Sequence, residues 1–241
     1  MLSHEERVTL VLPGQPVTQG TGYSDYYDAV VSALTSRRMM LDTALAQFMT
    51  RARELTEVAA RLIETLRTGH KVLVAGNGGS AAEAQHFAAE LVGRFKRERA
   101  PYAVLSLTTD TSILTAVAND YGYQDVFARQ VLAFGQPDDM LIAFSTSGES
   151  ENLLRAAATA QRGMMAVIAV TGDRPSRLEC LANVTVRVPT VDTAVAQELH
   201  MIVTHILCDI VESELAALSV GADLSCPPPM YRPAAQGDED P

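Results

Sequence analysis

The stretch that decides the fold is Leu73-Val74-Ala75-Gly76-Asn77-Gly78-Gly79-Ser80. Here a short apolar run passes through a glycine-rich turn into the amphipathic pattern Ala81–Phe95. A strand that enters a helix in this way predicts an anion site, because backbone N–H groups and the positive end of the helix dipole converge on the turn. His86 and Glu90 follow four residues apart, so they share one face of the helix. An anion site beside a His/Glu pair indicates chemistry on a small phosphorylated molecule.

Length and composition indicate one domain with a substantial core. The chain has 241 residues, of which 47% are hydrophobic, and this suffices for one full-sized domain with accessory helices. The net charge of −10 argues against a nucleic-acid partner, because it would repel the phosphate backbone. The sequence has neither the basic and apolar regions of a signal peptide nor an apolar run long enough to cross a membrane. We therefore expect a cytoplasmic protein with no membrane or nucleic-acid partner.

The three cysteines, Cys180, Cys208 and Cys226, are scattered along the chain. They lack the spacing of a metal site, and two of them lie in apolar surroundings. This pattern favours reduced, mostly structural thiols.

Strand-sized apolar runs alternate with helical patterns through the middle of the chain. The runs are Val72–Ala75, Ala103–Leu107, Met140–Phe144, Ala166–Val170 and Val184–Val188. The helical patterns between them are Ala81–Phe95, Thr111–Ala118 with Asp125–Phe134, Glu151–Arg162 and the shorter Ser176–Ala182. This alternation predicts an α/β fold in three layers, with a five-stranded parallel sheet flanked by helices. Ligands of such sheets bind at the carboxyl ends of the strands.

Further helical patterns lie on either side of the sheet. Two long helices, or one broken helix, precede the first strand and end at Gly69, and one long helix covers Thr193–Leu218. The apolar faces of the first helices need a partner, which is either the main domain or another subunit. We expect residues 1–23 to be a flexible arm, residues 24–218 a single domain, and residues 219–241 a disordered tail.

A second turn that could bind phosphate follows the third strand, with the sequence Ser145-Thr146-Ser147-Gly148-Glu149-Ser150. Hydroxyls and backbone N–H groups around a glycine at a helix start suit a phosphate monoester. The same residues also occur in ordinary capped turns. Two such turns at the same edge of one parallel sheet favour the phosphate site, and we expect Glu149 to point away from it.

Nucleotide sites fit this chain poorly. The third glycine of the dinucleotide fingerprint is replaced by Ala81, and its acidic residue would fall near Lys96–Glu98, before the second strand. The turn also lacks the Gly-Lys-Ser/Thr sequence of a P-loop. We therefore reject an ATP site and disfavour an NAD site.

From Lys71 to about Leu215 the chain resembles the SIS (sugar isomerase) family, and within it the phosphoheptose isomerases, which convert sedoheptulose 7-phosphate to D-glycero-D-manno-heptose 7-phosphate. The motifs that carry this resemblance are Gly76–Ser80, Ala84–Phe95, Ala118–Gly122, Ser145–Gly148, and Gln197–His200 with His205. The resemblance implies a flavodoxin-like parallel sheet and a tetramer assembled through added helices. The implied substrate is a small sugar phosphate.

The resemblance also implies roles for the matching residues. The acid/base pair would be Glu90 and His205. The implied ligands of one Zn²⁺ per active site are His86, Glu90, Gln197 and His205. The implied substrate-binding residues are Asn77, Gly78, Gly79, Ser80, Glu90, Asn119, Asp120, Ser145, Thr146, Ser147, Ser150 and Gln197. Ala194 departs from the pattern, since some members carry an acidic residue there, so a contact to a substrate hydroxyl is missing or replaced.

These residue types suit an aldose–ketose isomerisation. Such a reaction needs a base over the carbon, an acid/base group for the oxygens and an electrophile for the developing oxyanion. Glu90 can be the carbon base and His205 the second acid/base group, or the reverse, and zinc can be the electrophile.

The spacing of two implied ligands predicts something about subunits. Gln197 and His205 lie eight residues apart, which is about 12 Å along a helix. We therefore predict that they do not both reach one metal ion from one straight helix. Either the helix bends or one ligand comes from a neighbouring subunit, which would put active sites at subunit interfaces.

Two other functions remain open. The first is a SIS-fold binding protein like the bacterial proteins that associate with the replication initiator DnaA, which look depleted at the catalytic positions. The presence of both Glu90 and His205 favours an enzyme instead. The second is an isomerase of a different sugar phosphate, which the departure at Ala194 keeps open.

Overall fold

The computed structural model describes residues 23–221, and the side chains of residues 25–216. The predicted flexible arm and disordered tail therefore lie outside the described residues, apart from Tyr23 and residues 219–221, which are helical. The described residues belong to two compact units, which meet in sequence between Thr43 and Ala44.

Helix α1 (Tyr23–Met49) contains all the described residues of the first unit. Its apolar side chains recur at helical spacing, as the sequence predicts, and several are between 43% and 66% exposed. These are Tyr26, Tyr27, Val30, Val31 and Leu34. A contiguous apolar face of this kind is typical of helices that associate with another subunit, and that role of α1 stays a prediction.

The second unit is an α/β domain with the predicted parallel sheet. Its strands are β1 (Val72–Gly76), β2 (Val104–Ser106), β3 (Met140–Ser145), β4 (Ala166–Thr171) and β5 (Val184–Arg187). All neighbouring strands are parallel, in the order β2-β1-β3-β4-β5. This is the flavodoxin-like order, so the five-stranded flavodoxin-like sheet is confirmed.

The helices also follow the predicted pattern closely. They are α2 (Ala52–Arg67), α3 (Gly79–Val92), α4 (Thr111–Tyr121), α5 (Ala128–Phe134), α6 (Glu151–Arg162) and α7 (Thr193–Gly221). Two residues in turn conformation, Thr50 and Arg51, separate α1 from α2, so the two-helix alternative is correct. Gly69 follows α2 with a φ of +83°, the left-handed conformation that commonly ends a helix.

Helices cover both faces of the sheet and create the three layers. Every residue of β1 and of β3 is buried, which explains their continuous apolar sequences. On one face, Leu73 and Leu141 pack in a cluster that includes Leu153 of α6. On the other face, Phe144 of β3 contacts Phe87 of α3, with ring centroids 6.4 Å apart.

Two predicted helical segments are corrected by the structure. The segment Ser176–Ala182 contains only a short 3₁₀ turn, Glu179–Leu181, because the N–H of Leu178 donates to Gly148 rather than continuing a helix. Helix α3 ends at Val92 rather than at Phe95. The N–H groups after that point are bound by a carboxylate from α7, which prevents the helix from continuing.

The expectation that no segment is long enough to cross a membrane also needs correction. Within α7, residues Thr193–Ala216 are long and apolar enough to do so by length and composition, with a mean hydropathy of 1.3. Half of this segment is buried inside the protein, and Leu199, Val203 and Leu207 are completely buried. Its apolar composition therefore matches its position as a core helix that packs on α2 and α3.

The two described cysteines are free thiols. Cys180 is exposed, whereas Cys208 is buried on α7. Burial, with added repulsion from Glu90 and Glu212, raises the pKa of Cys208 to about 12. This thiol therefore stays protonated at neutral pH, as expected of a structural cysteine. Cys226 lies outside the described residues.

Candidate active site

The candidate site lies where the strand order reverses, at the carboxyl ends of β1 and β3. These strands are direct neighbours, with Gly76 paired to Phe144. The turns that follow them, Asn77–Ser80 and Ser145–Ser150, therefore share one edge of the sheet, as the alternation predicts. In open α/β sheets this is the position at which ligands bind.

Close packing explains the glycines of the first turn. A methyl group on Gly76 would overlap with the main chain of Ser80, which is itself almost fully buried. A methyl group on Gly79 would overlap with the side-chain amide of Gln197 from α7. Gly78 has a φ of +56°, a conformation that favours glycine. The turn is thus compact and lies directly against α7.

Asn77 is held by two side chains that the sequence analysis did not single out. Its amide exchanges two hydrogen bonds of 2.9 Å with the amide of Asn152, at the start of α6. The hydroxyl of Tyr123 donates a third hydrogen bond, also 2.9 Å, to Oδ1 of Asn77. Only its position directly after the Ala118–Gly122 motif could have indicated Tyr123.

The second turn uses its hydroxyls to hold its own backbone. Ser145 Oγ accepts the N–H of Gly148 at 3.0 Å, and Ser147 Oγ accepts the N–H of Glu149 at 3.2 Å. Glu149 turns away from the turn, as expected, and accepts the N–H of Arg177. Thr146 and Ser150 are partly buried. Contact of these residues with phosphate stays a prediction.

The implied substrate residues of α4 lie at its end. Asn119 and Asp120 are exposed, and the amide of Asn119 donates to the carboxylate of Asp120 at 2.8 Å. The chain then turns at Gly122, which has a φ of +90°. Tyr123 follows directly and bonds to Asn77. The end of α4 is thereby connected to the first turn.

The structure brings His86, Glu90 and His205 together. His86 Nε2 lies 3.0 Å from His205 Nε2 and 3.3 Å from Glu90 Oε1. One ligand atom from each residue lies within 4.8 Å of the others, and all three side chains are partly buried. Residues of α3 and α7, more than a hundred positions apart in sequence, thus form one cluster.

This cluster fits a zinc ion by its chemistry and spacing. Zinc binds imidazole nitrogens and carboxylate oxygens at about 2.0–2.2 Å, so tetrahedral ligands lie about 3.3 Å from one another. The separations of 3.0 and 3.3 Å are close to that value. Two Nε2 atoms that face each other also need a shared proton or a cation between them.

Helices α3 and α7 run parallel and contact each other in register. Gln197 lies against Gly79 at the start of α3, and His205 lies against His86 two turns later. Of the four implied zinc ligands, three meet within one chain while Gln197 lies at the first turn. That Gln197 and His205 do not share one ion within a chain stays a prediction, and α7 is a continuous helix.

Between those two contacts lies a buried pair that the sequence analysis did not predict. His200 Nδ1 is 3.4 Å from Glu83 Oε2, and the two side chains are 0% and 4% exposed. His200 also contacts Phe144 of the sheet, with ring centroids 5.9 Å apart. The pair therefore links α3, α7 and β3 directly below the first turn.

Beyond the end of α3, a completely buried carboxylate organises the following loop. Glu212 of α7 accepts the N–H groups of Phe95, Lys96 and Arg97 at 2.7–3.0 Å. Arg99 Nε lies 3.3 Å from the same carboxylate. Burial alone would raise the pKa of Glu212, but these N–H groups and the charge of Arg99 outweigh burial and lower it.

The loop that Glu212 holds also contacts the cluster of His86, Glu90 and His205. The loop held by Glu212 places the ring of Phe95 in a stack on His205, with centroids 5.4 Å apart and planes 19° apart. Arg99 donates to the carbonyls of Glu90 and Leu91 in the last turn of α3. In the sequence, Glu212 stands out only as an acidic residue within a largely apolar helix.

Comparison with known proteins gives consistent matches. The profile of the family described as SIS domain matches residues 39–172. A phosphoheptose isomerase of Roseiflexus sp. (strain RS-1) is 48% identical over 175 residues, which cover 73% of this chain and 89% of that relative. A phosphoheptose isomerase of Thiobacillus denitrificans is 51% identical over 167 residues, which cover 68% of this chain and 85% of that relative.

Solved structures give the same result. A phosphoheptose isomerase from Francisella tularensis superposes with a TM-score of 0.73 at 37% identity, covering 76% of this chain and 98% of that one. The phosphoheptose isomerase from Neisseria gonorrhoeae superposes with a TM-score of 0.72 at 36% sequence identity. The match covers 76% of this chain and 99% of that one. The Vibrio vulnificus NanR protein complexed with ManNAc-6P shares only the fold, with a TM-score of 0.53 at 17% identity, covering 83% and 72%.

We predict that Glu212→Gln destabilises the protein at neutral pH and that the loss disappears in acid. The amide NH₂ would face backbone donors, so we expect a loss of about 1–3 kcal/mol in the free energy of unfolding. The lowered pKa of Glu212 means that the carboxylate stabilises the folded state above about pH 4.3, and that this is lost as the pH falls through the lowered value.

Thermal unfolding between about pH 3 and pH 7 tests this, with exposed Glu214→Gln on the same helix as control. The melting temperatures of the wild type and of Glu212→Gln should differ most at neutral pH and should become equal in acid. A difference between them that stays constant over this range would contradict the assignment.

Proposed function

We propose that this chain, which belongs to the SIS domain family and to the phosphoheptose isomerase family within it, interconverts D-sedoheptulose 7-phosphate and D-glycero-D-manno-heptose 7-phosphate. That it is a sugar-phosphate isomerase follows from its relatives. The observation that carries the proposal is the convergence of His86, Glu90 and His205, two helical turns along α3 from the turn at the ligand-binding edge of the sheet.

Two of the three titratable side chains of the cluster, Glu90 and His205, suit the proton transfers of this reaction. Isomerisation moves one proton between C1 and C2 and another between their oxygens, through an enediol(ate). Glu90 takes the carbon-bound proton and His205 moves the oxygen-bound proton, or their roles are reversed. Both side chains are partly buried, so each keeps some exposed surface through which a substrate can reach it. The stack on Phe95 restricts the orientation of the His205 ring.

The cluster would hold zinc through His86, Glu90 and His205 of one chain, with Gln197 from a neighbouring subunit as the fourth ligand. A bound zinc ion supplies positive charge that stabilises the negative charge developing on the substrate oxygen. The observations that support this assignment are the donor set and its spacing. His86 takes no other part in the proposed reaction, so its role is to bind the ion.

The substrate lies across the two turns in this proposal. The phosphate binds to the turn Ser145–Ser150, where hydroxyls and the N-terminus of α6 offer donors. The sugar contacts the first turn at the exposed Gly78 and Gly79, together with Asn119 and Asp120, whereas Ser80 is almost fully buried. Ala194 is exposed at the start of α7 and offers no polar side chain to the sugar. A contact made there by an acidic residue in other members is therefore absent from this chain.

We further propose a homotetramer in the cytoplasm with active sites at subunit interfaces. The exposed apolar side chains of α1 support association, because burying them against a second copy is favourable. The separation of Gln197 from His205 along α7 supports a shared site. The free thiols of Cys180 and Cys208 agree with a reducing compartment.

A different sugar phosphate remains the second candidate. The absence of an acidic side chain at Ala194 favours it, since the pocket lacks one polar group there. Proteins of this fold also bind sugar phosphates without being isomerases of heptose, and the NanR protein complexed with ManNAc-6P shares the fold. The residues Glu90 and His205 argue for a reaction rather than for binding alone.

We predict that the wild-type protein with added zinc turns over sedoheptulose 7-phosphate, and that Glu90→Gln and His205→Ala each lower kcat about 10²- to 10⁴-fold. Each variant removes one of the two proton-transferring groups. A coupled assay of heptose 7-phosphate formation measures this, with Glu214→Gln as the control. A wild type that is inactive on this substrate, or a fully active Glu90→Gln, would contradict the proposal.

We predict that the protein binds one zinc ion per site and that His86→Ala and His205→Ala each reduce the bound zinc at least tenfold. Equilibrium dialysis followed by metal analysis gives this result without an activity assay. His70→Ala serves as the control, because His70 lies near Asp139 and outside the cluster. The His70→Ala variant should bind as much zinc as the wild type. Equal zinc content in all variants would refute the ligand assignment.

The proposal that neighbouring subunits share a site has its own prediction. If Gln197 and His205 of one site come from different subunits, mixing inactive Gln197→Ala with inactive His205→Ala should restore activity, because some sites then contain both side chains. The two variants are unfolded and refolded together, and activity is compared with each variant refolded alone. No recovery in a mixed oligomer would show that one chain supplies both residues.

A further inference from the structure

Three side chains at the ligand-binding edge form a hydrogen-bonded network, which we call the amide network: Asn77, Tyr123 and Asn152. They come from the first turn, from the 3₁₀ turn after α4, and from the start of α6. Asn152 is 3% exposed, Asn77 is partly buried and Tyr123 is 58% exposed. The network thus extends from the interior to the surface of the candidate site.

The direction of each hydrogen bond follows from one group that can only donate. The backbone N–H of Leu153 lies 2.9 Å from Oδ1 of Asn152. This contact requires the oxygen of the Asn152 amide on that side, because an NH₂ group there would face another donor. The NH₂ group of Asn152 must then face Asn77, at 2.9 Å.

The orientation of Asn77 follows in turn. Its Oδ1 accepts from the NH₂ group of Asn152, and its Nδ2 donates to Oδ1 of Asn152 at 2.9 Å. The hydroxyl of Tyr123 also meets Oδ1 of Asn77, so it must be the donor. With two hydrogen bonds accepted, the oxygen of Asn77 has both of its lone pairs engaged.

We infer that Asn152 and Tyr123 are positioning residues, which fix the Asn77 amide so that its one remaining N–H can bind an oxygen of the sugar phosphate. Asn77 can then offer a donor and no acceptor. The first turn selects ligand atoms that accept a hydrogen bond, such as a carbonyl, hydroxyl or phosphate oxygen. The nature of the ligand rests on the proposed function, whereas the orientation of the amide rests on the network alone.

The expected effect is on substrate binding rather than on proton transfer. Asn77 is not part of the acid/base pair, so its contact stabilises the bound substrate and the transition state alike. Removing the Tyr123 hydroxyl frees one lone pair of Asn77 and weakens its orientation. A rise in KM of about 3- to 10-fold corresponds to about 0.65–1.4 kcal/mol, which lies within the range expected for one hydrogen bond.

A double-mutant cycle separates positioning from direct contact. Tyr123→Phe should raise KM about 3- to 10-fold with kcat within about twofold, and should leave the melting temperature unchanged because the side chain is largely exposed. In an Asn77→Ala background, Tyr123→Phe should have no further effect on KM. Tyr121→Phe is the matched control, since its ring lies over Arg129 outside the network.

The outcomes distinguish the possibilities. Unchanged KM in Tyr123→Phe, or an equal rise in KM with and without Asn77, would overturn the inference, because Tyr123 would then act independently of Asn77. A wild type inactive on the heptose phosphate would refute the proposed function instead.

The orientation itself is read without substrate, from the side-chain amide signals in ¹⁵N-labelled protein. Hydrogen exchange at the side-chain N–H of Asn77 that donates to Asn152 should be slow in the wild type and about tenfold faster in Tyr123→Phe, with Tyr121→Phe unchanged. Identical exchange in the wild type and Tyr123→Phe would overturn the inference whatever the substrate.

Discussion

The parallel packing of α3 against α7 is the interaction on which the candidate site depends. The two helices meet at Gly79 and Gln197 near the sheet edge, and at His86 and His205 two turns later. Because both run in the same direction, residues seven or eight positions apart on each helix stay opposite one another. A methyl group on Gly79 would displace the amide end of the Gln197 side chain. The metal-type cluster is therefore a consequence of helix register.

Buried polar groups maintain that register, although burying a charged side chain is in itself unfavourable. An isolated buried carboxylate is strongly unfavourable, yet Glu212 is completely buried and is satisfied by three backbone N–H groups and Arg99. The same contacts end α3 and hold Phe95 on His205. Groups without acid/base roles thus determine the position of the proposed acid/base pair.

The site divides its tasks between turns and helices. The turns after β1 and β3 are stiffened by their own hydrogen bonds, as Ser145 and the amide network illustrate. The helices carry Glu90 and His205, which the proposed reaction requires. In the proposed function, the turns would bind the substrate and the two helical positions would carry the chemistry, so the two tasks could change independently.

The sequence by itself determined the α/β class, the strands and most helix limits, because buried parallel strands are continuous apolar runs and amphipathic helices have a period of 3.6 residues. Together with the family resemblance it also indicated His86, Glu90 and His205. Only the tertiary structure identified Glu83 with His200, Glu212, and Asn152 with Tyr123. These residues act through partners 46 to 117 positions away. A contact at such a distance leaves no periodic signal in sequence, since it depends on how separate elements pack.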